Sequence, residues 1–294
     1  MTRPMPELAG VKHRDVVVRG VRLHVAEAGA GEPVVCLHGW PQNWWVWRGV
    51  IPGLADRYRV ICPDLRGFGW SEATRKGYEK RDTAADIAAL LDALDLRDVR
   101  LMGHDWGGVA AWILCLERPD LVRQYLAMNT AHPWPRIEGR RFPDLRRFWY
   151  QWVISTPLVG RLAVQLLSKL PPERSYRVTG SSTAWNAEDT RVFLGQFAER
   201  ERAWASVQTY RTFVLRELAA MVRGRYRDKR LKAPVLWLHG TGDPVIRPFM
   251  LQGTEPHADA EVKIELIDGV GHFIADQRPD LVLERALEFF ASEG

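Results

Sequence analysis

The chain has 294 residues, 46% of them hydrophobic and 26% charged, enough to bury a sizeable core without disulfides or structural metals. No run approaches 18 uncharged apolar residues, the opening MTRPMPELAG has no apolar signal core, and Cys36, Cys62 and Cys115 form no CxxC pair, so we expect a soluble cytoplasmic protein with buried thiols and no membrane partner. The net charge of +5 is uneven: residues 134–230 carry 19 Lys and Arg against 9 Asp and Glu, a surplus of ten, which leaves −5 for the rest. These basic residues are scattered among apolar and acidic ones, as on a solvated helical surface, and nucleic acid is not expected as a partner.

In chain order, VKHRDVVVRGVRLHVAEAG alternates apolar and polar residues about Arg19–Gly20 and predicts a β-hairpin. PVVCLHG is a short, nearly all-apolar run, as in a buried parallel strand, and YRVICPDLRG predicts a second. TAADIAALLDALDL has helical spacing, with Thr83 near its start. VRLMGHDWGG predicts a strand ending in a glycine-rich turn, VAAWILCLERP a helix stopping at Pro119, and LVRQYLAMNTAHP another strand. This alternation implies an α/β fold with a mostly parallel sheet flanked by helices. It breaks after Pro133. Helical spacing dominates from there to Arg230, in Leu145–Ser155, PLVGRLAVQLL and AWASVQTYRTFVLRELAAMV, which predicts an inserted helical cap at 134–230. The sheet pattern resumes with APVLWLHGTGD and VKIELIDGVGH, and the helix PDLVLERALEFFAS closes the core, so 1–133 and 231–294 form its two parts.

The sharpest signal is GHDWGG. Gly103 and Gly107 lie two residues either side of Asp105, between a strand and a helix, as in a nucleophile elbow. A helix N-cap would explain Asp105 but not the flanking glycines. A carboxylate nucleophile suits an sp3 carbon with a leaving group, such as an epoxide or a carbon–halogen bond, and gives an alkyl ester. Hydrolysis of that ester needs a base and an oxyanion hole. His272, in DGVGHF after a strand, is the expected base; His38, His104, His132 and His239 also lie near strand ends, but the order nucleophile, acid, histidine selects His272. Asp243, in LHGTGDPV, is the expected orienting acid, and Asp64, which precedes the nucleophile, is assigned to loop structure. The backbone N–H groups of Trp40, in HGWP, and Trp106 are the expected oxyanion donors. Pro41 leaves open a cis bond. No HExxH, GxGxxG or GxxxxGK spacing is present, so neither metal nor nucleotide cofactor is expected.

HGWP, the segment NWWVWRGVIPGLADRYRVICPDLRGFGWS, GHDWGG and MNT together resemble the soluble epoxide hydrolases of the α/β-hydrolase fold, over roughly 33–133 and 233–290. The resemblance implies an epoxide and water as reactants, a vicinal diol as product, and two cap tyrosines that hold the epoxide oxygen. Tyr210, in SVQTYRTF, resembles the second of these, and Tyr150, in RRFWYQWVIS, is the best match for the first. His38, Gly39, Trp40, Pro41, His104, Trp106, Phe148, Trp149 and Trp152 are expected to line an apolar pocket between core and cap. Haloalkane dehalogenases are the nearest alternative, because an indole at Trp106 can hold a halide; their usual Asn or Glu is replaced by Trp40. A catalytically silent binding protein of the same fold is a third reading, against which stands the complete triad. The sequence leaves a homodimer open.

Overall fold

The computed structural model describes residues 3–135, 148–171 and 185–292. β1 (Lys12–Val18) and β2 (Val21–Ala28) form the antiparallel hairpin, with Val18 opposite Val21. Arg19 and Gly20 both have positive φ, 50° and 74°, as the two-residue hairpin turn that follows strand twist requires.

β3 (Pro33–Leu37) and β4 (Arg59–Pro63) pair in parallel, joined through the short helix α1 (Ile51–Ala55). Next come α2 (Lys80–Ala93), β5 (Val99–His104), α3 (Asp105–Glu117) and β6 (Val122–Met128). α2 begins three residues before Thr83, because the Asp82 carboxylate accepts the Glu79 N–H and closes the first turn there. Every residue of α3 from Trp106 to Leu116 is buried, as expected of a helix that is apolar on all sides.

Between β6 and the next strand the described chain is helical. α4 (Trp149–Ser155) and α5 (Pro157–Leu167) pack on α7 (Arg200–Thr212), which follows α6 (Ala187–Gly195). Residues 145–147 of the first expected helix lie outside the described residues. The long helix expected from Ala203 to Val222 is not regular: Phe213–Glu217 form a π-helical turn between α7 and α8 (Leu218–Val222).

β7 (Val235–Gly240), β8 (Val262–Ile267), α9 (Ile274–Gln277) and α10 (Pro279–Ala291) complete the core. The eight-stranded sheet has the order β1-β2-β4-β3-β5-β6-β7-β8, antiparallel at β1/β2 and β2/β4 and parallel across the rest. The turns after β3, β5, β7 and β8 therefore open on the same edge. The chain reverses its direction of sheet growth beside β3 and β5, and such a switch point leaves a crevice for a ligand at the carboxyl ends of the strands.

Candidate active site

Asp105 stands where β5 ends and α3 begins, with φ at +48°. That left-handed conformation costs a side-chain-bearing residue about 1–3 kcal/mol and is retained only where the surroundings enforce it. Here the buried strand and helix do so, and Thr130 Oγ donates to the Asp105 carbonyl at 2.8 Å. Two glycines permit the close approach of the neighbouring turn. A Cβ at Gly39 would collide with Asp105 Cβ, and one at Gly107 with the His38 carbonyl oxygen. The turn after β3 thus seats directly against the elbow, across a cis bond between Trp40 and Pro41.

That seating aims the Trp40 N–H at Asp105 Oδ2, 2.8 Å away, and the Trp106 N–H also donates to the carboxylate. Both expected oxyanion donors meet the expected nucleophile. Burial raises the Asp105 pKa, while the His272 charge and the two N–H groups oppose that rise.

His272 follows β8 and places Nε2 3.8 Å from Asp105 Oδ1. Its Nδ1 lies 2.8 Å from Asp243 Oδ2, in the loop after β7. Burial disfavours the imidazolium, but the charge and hydrogen bond of Asp243 and the charge of Asp105 outweigh it and hold His272 at about 9. Asp243 also feels burial, which raises its pKa. It is nevertheless lowered to about 2 by His272 and by hydrogen bonds from Asn129 and the Val245 N–H. The Ile246 N–H supplies one more, so the carboxylate is held on both oxygens.

Tyr210 is buried on α7, edge-on to the Trp40 and Trp106 rings at centroid distances of 5.4 and 5.5 Å. Tyr150 on α4 meets it at 6.1 Å. Burial raises both phenol pKa values; Asp105 adds to the rise in each, and the neighbouring Tyr150 does so in Tyr210. Both phenols therefore remain O–H donors at any working pH, close to the nucleophile.

The other expected residues divide. His38 is fully buried and structural: Nδ1 donates to the Gly39 carbonyl at 3.0 Å, and Nε2 accepts the Leu65 N–H at 3.0 Å. His104 is also buried, and its Nε2–H donates to the His272 carbonyl at 2.8 Å; burial and the His272 charge depress it to about 3. These two shape the turns beneath the site. Asp64 is loop structure, as expected: it pairs with His24 at 2.7 Å and accepts the Trp44 and Trp70 N–H groups. Gly39, Trp40 and Trp106, together with His38, line a small cavity that Lys80 and Thr209 also wall. The expectation for the cap aromatics needs correction. Trp149 and Trp152 are 66% and 60% exposed, because α4 turns Gln151, Ile154 and Ser155 inward and these indoles outward. Phe148, at the start of α4, is half-buried and is not among the residues of that cavity.

Three residues near the site escaped sequence reasoning. Asn129, in a left-handed conformation with φ of 39°, donates to Asp243 at 2.8 Å; its motif MNT was visible but carried no role. Lys80 and Glu217 form a buried ion pair at 3.2 Å, although each sits in a charged stretch that looks like an ordinary solvated face.

The chain is similar to known proteins over nearly its whole length. The family model described as alpha/beta hydrolase fold matches residues 32–279. A soluble epoxide hydrolase from Corynebacterium sp. is 30% identical over 291 residues, covering 96% of this chain and 98% of that protein. Epoxide hydrolase 2 from Siraitia grosvenorii is 30% identical over 305 residues, covering 92% and 95%. Among solved structures, the epoxide hydrolase CorEH without ligand superposes with a TM-score of 0.82 at 28% identity, covering 96% of this chain and 99% of that one. With this fold, and with that identity sustained over almost the whole length, the chain belongs to the soluble epoxide hydrolase family of α/β hydrolases.

Proposed function

We propose that the protein hydrolyses an apolar epoxide to a vicinal diol through a covalent ester on Asp105, with residues 134–230 acting as a cap over the site. The observation that carries this reading is the meeting of two neutral phenols, Tyr150 and Tyr210, with a carboxylate already held by two backbone N–H groups. An epoxide offers both features a partner. Its carbon takes the carboxylate, and its oxygen takes the phenol hydrogen bonds as charge develops there.

The steps follow from the distances. Asp105 Oδ2 is held by Trp40, so Oδ1 attacks an epoxide carbon and the carbon–oxygen bond of the ring breaks. Tyr210 and Tyr150 stabilise the departing alkoxide, which takes the hydroxyl proton of one of them, and solvent then reprotonates that phenol. Esterification removes the Asp105 charge, one of the influences holding His272 at about 9. The imidazole then loses its proton more readily and serves as base. Water attacks Cγ of Asp105 and gives its proton to His272 Nε2. The oxyanion forms on Oδ2, facing the Trp40 and Trp106 N–H groups. Collapse breaks the Cγ–Oδ1 bond, His272 returns the proton, and the diol departs with Oδ1. Asp105 retains the oxygen from water, and that oxygen's remaining proton passes to His272, which restores the carboxylate and the imidazolium. Asp243 and Asn129 hold the imidazole and its charge through the cycle.

One observation favours dehalogenation as a second reading: the buried Trp106 indole N–H is directed at the Tyr210 hydroxyl and could hold a halide in its place. The Trp40 indole is less suited, since its Nε1 already donates to Ser206 at 3.0 Å.

A single turnover of an aryl or alkyl epoxide in ¹⁸O-water tests the proposal. The expected first-turnover diol is unlabelled, and the label appears in the peptide containing Asp105. A diol labelled in the first turnover would mean direct attack by water and would overturn the covalent route.

A further inference from the structure

We propose that Lys80 is a positioning residue for ring opening: its buried ammonium ties the end of the Tyr210 helix to the core and seats Trp106 beneath it. This assignment rests on the epoxide-opening reading above.

Lys80 is the first residue of α2, and both it and Glu217 are 2% or less exposed. Its Nζ makes four contacts, one of them with the Phe213 ring at 5.4 Å, and the other three converge from different elements. It donates to the Thr209 carbonyl at 2.7 Å, one residue before Tyr210. It pairs with Glu217 Oε2 at 3.2 Å, while Glu217 Oε1 accepts the Lys80 backbone N–H at 2.5 Å. It also lies 4.3 Å above the centre of the Trp106 ring, within cation–π range. The Trp106 ring is the one that meets Tyr210 edge-on. One cation therefore fixes two neighbours of the proposed donor: the backbone that precedes it and the ring that packs against it.

The π-helical turn explains how the cap supplies both oxygen ligands. Thr209 and Glu217 are eight residues apart, which in a continuous α-helix would place them about 80° apart around the axis. The wider i→i+5 turn at Phe213–Glu217 absorbs part of that excess. It brings the Glu217 carboxylate to the face on which the Thr209 carbonyl meets Lys80. Phe213 meanwhile donates its N–H to the Tyr210 carbonyl, so the last turn of α7 closes on the donor residue. Burying an ion pair this deeply is weak evidence for stability, because desolvation offsets most of the attraction. Its geometric consequence is specific: it selects one register of the cap helix on the core. Burial lowers the Lys80 pKa, and Glu217 opposes that.

The test separates ester formation from ester hydrolysis in Lys80→Met, in the charge-free double variant Lys80→Met/Glu217→Gln, and in Lys80→Met/Tyr210→Phe. Rapid quench on an epoxide first measures wild type, where ester formation must be seen. We expect Lys80→Met to slow ester formation ~10–100-fold, as small displacements of a catalytic group do, and to leave ester hydrolysis unchanged. If the lone Glu217 charge prevents Lys80→Met from folding, the charge-free variant shows the same split. Because Lys80 acts through Tyr210, adding Lys80→Met to Tyr210→Phe should slow ester formation by no more than about twofold further. Wild-type ester formation in the folded variant, equal slowing of both half-reactions, or fully multiplicative losses with Tyr210→Phe would each overturn the proposal. Absence of any ester in wild type would instead remove the epoxide-opening reading, and this assignment with it.

Discussion

Asp105, Asp243 and His272 occupy turns at the carboxyl ends of parallel strands, whereas Tyr150 and Tyr210 occupy helices that reach the same point from the insertion between β6 and β7. The first group is fixed by strand register and by glycines that let one backbone turn lock into another. The second is fixed by side-chain contacts across a long sequence separation, such as Trp40 with Ser206 and Lys80 with Glu217. The difference teaches that a site can be assembled from one half set by backbone register and another set by side-chain contacts. In our account these halves also divide the chemistry. The strand-end residues serve both half-reactions or the second alone, and the cap phenols serve only the first.

The largest expected effect comes from breaking the strand-end half. Asp243→Asn should lower turnover by ~10⁴-fold in steady-state assays while the protein remains folded, because the amide favours the wrong imidazole tautomer. The next variants sharpen the division. Tyr210→Phe should slow ester formation by ~10²–10³-fold, as loss of one oxyanion donor does, with ester hydrolysis at the wild-type rate in rapid-quench measurements. Tyr150→Phe should act on the same half-reaction. A tyrosine variant that slowed hydrolysis as much as ester formation would break the comparison.

How much of each half could be read from sequence follows the same physics. The elbow and its partner turn need small residues at set offsets, so Gly39, Gly103 and Gly107 marked Asp105 and the oxyanion turn. Chain order then singled out Asp243 and His272 as the candidate acid and base. Cap residues carry no such local constraint. A helical face tells which residues are apolar, not which face meets the core, and so Trp149 and Trp152 were expected inside and stand outside. The π-helical turn is invisible to a 3.6-residue period. Lys80 and Glu217 lie 137 residues apart, and each reads alone as a surface charge.

The smallest expected effects concern pH. Ester hydrolysis needs neutral His272, so its rate should rise with pH, with a midpoint below the value of about 9 held in the free enzyme. His272 sits above its ordinary 6.5, so the stability it contributes is fully present below that value and is lost as pH rises through about 9. Asp243 sits below its ordinary 3.8, so its contribution is present above that and is lost as pH falls through about 2. Thermal melts should accordingly show wild type losing stability towards pH 10 more steeply than His272→Ala.

The most direct test of the central claim is the intact mass of His272→Ala after exposure to an epoxide that the wild-type enzyme turns over. Loss of the base leaves the nucleophile and phenols in place, so the account predicts a stable gain equal to one whole epoxide, mapped to Asp105. A folded His272→Ala that gains no mass, or gains it at another residue, would contradict Asp105 as the nucleophile.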